Sequence, residues 1–216
     1  MAKAYSKTLG LLVLSQLLAL QVVLAAEENN PVTELEARLL NAPQVSLAFT
    51  IKATGAVEAN LEGTLAIRGK ETIEFTVTGN FAGEELDMII MTSATELEFG
   101  AKDAPRTIAI PAALRESVLI GLTRMGILHN IARLTGGNPP DHGEGGVQDW
   151  VKVSSAIKSP DARSLTFDIV VDGQPAGSAA LRLDPFGMVV NRQQTVEFPQ
   201  GAMEVEEDYF NVQVSF

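Results

Sequence analysis

The sequence contains no cysteine, which excludes disulfide staples, thiol nucleophiles and a lipid attachment point, so stability has to come from packing. Histidine is nearly as scarce, with only His129 and His142. A nucleophile relay through imidazole would have to use one of these two. His129 follows a helical pattern beside Asn130 and reads as an ordinary, partly exposed histidine. His142 lies in Asp141-His142-Gly143-Glu144, inside a stretch (residues 136–146) with two prolines and five glycines. Metal sites draw three or four ligands from fixed elements, so this irregular loop is a poor host and no metal or other cofactor is expected. The sequence also lacks a GxSxG elbow, HExxH, a phosphate-binding loop and a dinucleotide glycine fingerprint. Carboxylates are plentiful, but none forms a pair that the sequence places inside the sheet. An enzyme is disfavoured. Positive charge is short as well, with 16 Lys and Arg against 27 Asp and Glu and a net charge of −11. Nucleic acid and anionic membrane surfaces repel such a chain.

What is present begins with a leader. Lys3 and Lys7 precede an almost wholly apolar run (residues 8–24), then Ala25 and Ala26, then Glu27, Glu28, Asn29 and Asn30. This is the layout of a secretory signal peptide cleaved after Ala25 or Ala26, with a retained membrane anchor as the alternative. The expectation is an exported, periplasmic protein. Loss of Lys3 and Lys7 takes the net charge from −11 to −13. Residues 27–216 suit one domain.

The pattern then alternates between two periods. Asn30-Pro31, with Thr33 and Glu36 as a capping box, starts a helix striped by Leu35, Leu39 and Leu40. From Gln44 the period becomes two. Val45, Leu47, Phe49 and Ile51 form one strand, followed by residues 57–67, 73–77, 86–91 and 96–99. Gly55, Gly69, Gly79 and Gly83 mark hairpin turns, so pairing is antiparallel. Residues 111–134 then read as the one long helix, with Leu114, Val118, Leu122, Met125 and Leu128 on one stripe and Ile120, Ile127 and Ile131 opposite. Two readings stay open: a buried core helix, or a lid over an apolar cavity, with Gly121 or Gly126 breaking it in two. Strands follow over 150–154, 165–171, 179–183, 188–198 and 202–216. The Glu204, Glu206, Glu207 and Asp208 run reads as a solvated face or a protected edge.

One-sided alternation in nearly every strand predicts an α+β fold: a single antiparallel curved sheet forming an open half-barrel, apolar within and capped by helices. Candidate cavity-lining residues are Leu47, Phe49, Leu61, Leu65, Phe75, Val77, Met88, Ile90, Leu97, Phe99, Phe167 and Ile169 on strands. Leu122, Met125 and Leu128 face them from the helix. The same residues fit a filled core equally well. The first reading is a non-enzymatic carrier of an apolar ligand such as an acyl chain, and the second an envelope protein-interaction module.

Gly63-Thr64-Leu65-Ala66-Ile67-Arg68, preceded by Phe49, and Ala94-Thr95-Glu96-Leu97-Glu98-Phe99 before the helical insertion carry a resemblance. With the order helix, hairpins, helices and returning strands, the chain resembles the LolA-like family of periplasmic lipoprotein carriers. The resemblance implies a helical lid over a half-barrel, with acyl chains or lipidated proteins as cargo. It also implies that Arg68 sits near the mouth and hydrogen-bonds lid backbone, whereas the alternation of its strand, with Asn60, Glu62 and Thr64, reads it as an exposed strand arginine. The chain is expected to be a monomer. Gly69-Lys70-Glu71 departs from the family's proline and aromatic residues after the arginine, and the chain has only one Trp and two Tyr.

Overall fold

The computed structural model describes residues 30–70, 72–135, 151–171, 173–199 and 201–215. The leader with its cleavage site, the glycine-rich stretch with His142, and Trp150 lie outside the described residues.

Helix α1 (Pro31–Asn41) begins at Asn30, whose side chain accepts the Val32 N–H at 2.9 Å, with proline in the first turn. Glu36 is not spent on a capping box: its carboxylate is buried and bonded to Arg124. Six strands follow: β1 (Gln44–Gly55), β2 (Ala59–Arg68), β3 (Thr72–Phe81), β4 (Glu84–Thr92), β5 (Glu96–Ala101) and β6 (Arg106–Ala109). The long helix is interrupted. It runs as α2 (Leu114–Ile120), widens into a π-helical turn (Gly121–Met125), stops at Gly126, and resumes as α3 (Ile127–Thr135). The second block is β7 (Val151–Lys158), β8 (Ser164–Val171), β9 (Gln174–Leu183), β10 (Val189–Phe198) and β11 (Gly201–Ser215). The sequence pattern missed only β6, four residues with no long alternation.

All eleven strands form one antiparallel sheet in the order β6-β5-β4-β3-β2-β1-β11-β10-β9-β8-β7. The sheet does not close, and its burial is one-sided, giving an open half-barrel whose inner face the helices cap. The last strand joins the first, so β11 is central and not an edge. In its charge run Glu204 and Glu206 are exposed, but Glu207 points inward and is fully buried. The true edges are β6 and β7. β6 is short, and β7 is bulged between Ser154 and Ile157 and carries Lys152 and Lys158, features that discourage edge pairing.

Inward side chains meet in rows. Leu47, Leu65, Phe75, Ile90 and Phe99 stand opposite one another across β1 to β5. The Phe49 and Phe75 rings stack with centroids 5.4 Å apart. Gly63 makes room for them: a Cβ there would lie 2.0 Å from the Thr76 carbonyl oxygen and 2.5 Å from the Phe49 ring. Among the described residues, no helix is long and apolar enough to cross a membrane.

Candidate apolar cavity and the helix that closes it

At the end of the half-barrel formed by the β1–β2, β3–β4, β8–β9 and β10–β11 hairpin ends, the inner face is not filled. A cavity of about 360 Å³ remains there. Met125, Leu128, Val151, Ile169, Met203 and Val205 form its buried floor, while Val57, Phe81, Val171, Ala176, Val196 and Phe198 form its half-buried or exposed rim. Arg124, His129 and Gln194 are its polar members. Of the fifteen residues the sequence offered as lining, Met125, Leu128 and Ile169 reach this cavity. The other twelve, Leu47, Phe49, Leu61, Leu65, Phe75, Val77, Met88, Ile90, Leu97, Phe99, Leu122 and Phe167, pack into the core that fills the rest of the barrel.

The helical segment over the cavity is clamped at its break by buried charges. Arg124 donates Nε to Glu36 Oε1 at 2.7 Å and pairs through Nη2 with Glu36 Oε2. Its Nη1 donates to the Val151 carbonyl at 3.0 Å, and Thr123 Oγ1 donates to Glu36 Oε1 at 2.8 Å. One ion pair thus ties α1, the π-turn and β7 together. Arg192, on the inner face of β10 and fully buried, donates Nε to the Thr123 carbonyl at 2.8 Å and Nη2 to the Arg124 carbonyl at 3.0 Å. Terminal helical carbonyls have no partner within the helix, and a cation suits that end. Glu207, opposite Arg192 in the ladder, does the converse for α3: its carboxylate accepts the Leu128 N–H at 3.1 Å. Gly126 sits between these two charges with φ +83°, and a Cβ there would lie 2.7 Å from Arg192 Nη1 and 3.0 Å from Glu207 Oε1. Asn130 Nδ2 then ties α3 back to the Ser117 carbonyl of α2 at 3.3 Å.

Arg68 does not take the place the resemblance gave it. It lies on the outer face, in phase with Asn60, Glu62 and Thr64, and donates to Glu74 at 2.6 Å. The arginine that bonds the backbone of the covering helix is Arg192. Arg115, on α2, makes a further tie by donating to the Leu40 and Ala42 carbonyls, each at 2.6 Å, at the end of α1.

Tyr209 donates its hydroxyl to Glu207 Oε2 at 2.5 Å. Burial first, and the Glu207 carboxylate second, push the Tyr209 phenol well above its ordinary value of 10.0. The folded state therefore holds this proton more tightly than the unfolded chain. The stability it contributes is fully present below pH 10 and falls as pH rises past it. A melting temperature that drops between pH 9 and 11 less steeply in Tyr209→Phe than in the parent is the expected result, checked by scanning calorimetry.

Among the described residues, no group of three or more His, Asp or Glu is arranged to hold a metal. The inner face instead offers an apolar chamber closed by a charge-clamped helix.

No family model matches the chain, and no curated protein matches its sequence. Solved structures do. The chain is similar to a LolA superfamily protein from Nitrosomonas europaea, at 10% identity over 86% of this chain and 92% of that one, with a TM-score of 0.40. It is similar to a DUF1329 family protein from Desulfovibrio piger, at 10% identity over 86% and 94% of the two chains, with a TM-score of 0.31. A domain from Vibrio parahaemolyticus, described as an outer membrane lipoprotein-sorting protein, is similar at 7% identity over 88% and 93%, with a TM-score of 0.32.

Proposed function

We propose that the protein is a non-enzymatic carrier, exported to the periplasm, that holds an acyl chain, free or borne by a lipidated protein, in the cavity beneath α3. The observation that supports this is the contrast between a densely filled barrel and one unfilled apolar chamber with an exposed aromatic, Phe198, on its rim. At about 360 Å³ the chamber lies at the low end of the ~300–1,000 Å³ typical of ligand sites, which suits one chain better than several. Apolar walls with few polar groups hold such a ligand through the hydrophobic effect alone.

Ala176 lines the chamber, and phenylalanine at that position would fill it without adding charge. Ala176→Phe is expected to weaken binding of the neutral fluorophore N-phenyl-1-naphthylamine by about tenfold or more, while leaving stability unchanged or raised by roughly 0.5–2 kcal/mol. Undiminished binding would place the ligand elsewhere. The filled lower barrel supports a second reading, a protein-interaction module; a stoichiometric partner that co-purifies without lipid is its signature.

A further inference from the structure

Taking the cavity as the ligand site, we propose that it selects acyl chains with neutral or cationic heads and rejects free fatty acids and anionic phospholipids. Among the described residues that line the chamber the only permanent cation is Arg124, and it is already committed. Its guanidinium is paired with the buried Glu36 carboxylate and bonded to the Val151 carbonyl. A fatty-acid carboxylate brought inside would have to displace Glu36, leaving a buried carboxylate without its partner, which is costly. An anionic head left at the mouth fares no better. The four hairpin ends that supply cavity residues carry Glu58, Glu84, Glu85 and Glu197, all exposed. Among their described residues (55–58, 79–86, 171–176 and 196–203) there is no Lys or Arg. Lys102 and Arg106 belong to the next connection along, which contributes nothing to the cavity, and Arg106 lies over the Phe99 ring at 4.8 Å. Charges of one sign around a cleft set the local concentration of charged ligands by an order of magnitude or more, and salt screens the effect. An amide, an ester or an ammonium head meets no such barrier.

The test is displacement of N-phenyl-1-naphthylamine from the purified protein at about 20 mM salt by three ligands of equal chain length: dodecanoate, N-methyldodecanamide and dodecylammonium. The amide and the ammonium are expected to displace the fluorophore at concentrations at least about tenfold lower than dodecanoate does. Raising the salt to about 0.5 M is expected to narrow the gap. The variant Glu84→Gln/Glu85→Gln/Glu197→Gln changes only exposed side chains and is expected to improve dodecanoate severalfold without altering the amide. Dodecanoate displacing as well as the amide at low salt would overturn the charge selection while leaving apolar binding intact. Failure of the fluorophore to bind at all would overturn both.

Discussion

Arg124→Met is expected to destabilise the protein by about 3–5 kcal/mol in urea unfolding. The reason is what it leaves behind. Glu36 is 1% exposed, and without Arg124 its carboxylate keeps, among the described residues, only the Thr123 hydroxyl as a bonded partner. An isolated buried carboxylate is far less favourable than a buried pair. The Val151 carbonyl at the start of β7 also loses its donor. Replacing both partners, as in Glu36→Leu/Arg124→Met, is expected to recover most of the loss, because a well-packed apolar pair can match a buried ion pair. A single-variant cost below about 1 kcal/mol would place the pair in the class of solvent-screened surface bridges and contradict its role as the clamp.

Gly126→Ala is expected to act more locally but with similar force. The left-handed φ strains any side chain there by about 1–3 kcal/mol. The new methyl group also needs the space beside Arg192 Nη1 and Glu207 Oε1. A guanidinium on a surface could swing aside, but this one is fully buried and holds the Thr123 and Arg124 carbonyls. Moving it costs charge-assisted hydrogen bonds worth about 1.5–3 kcal/mol each. Hydrogen exchange should therefore rise in the π-turn and α3 by several hundredfold, the equivalent of about 3 kcal/mol or more, while β1, β2 and β11 keep their protection. Uniform acceleration across the sheet would show that the break is part of the core and not a separable closure.

The strands were legible because nearly every one is wet on one side, so the period of two survives in the sequence. The same logic placed Leu47, Leu65 and Phe75 on one face, and their ladders show them opposite one another. The phase of β2 also carries Arg68 outward with Asn60, Glu62 and Thr64, in line with the alternation of its strand and against what the resemblance implies. Glu207 was legible in the same way. Met203, Val205, Glu207 and Tyr209 share one phase, and only the habit of assigning a charge run to solvent hides the inward carboxylate. Arg192 was not legible. A register irregularity between Val189 and Asn191 shifts the phase of β10, so counting by twos from Val189 misplaces the arginine. Glu36 and Arg124 are 88 residues apart, and neither has a local pattern that announces the other. The unfilled chamber was beyond the sequence for a related reason. Lining and core use the same residue types, and only the three-dimensional fit separates Met125 and Leu128 from Leu122.

The most direct test of the carrier account is native mass spectrometry of the exported protein, purified without detergent. The account predicts a bound mass that organic extraction releases and that is identified as a single acyl-bearing molecule, absent from Ala176→Phe prepared in parallel. A clean unliganded mass that gains nothing when neutral acyl lipid is added would contradict it.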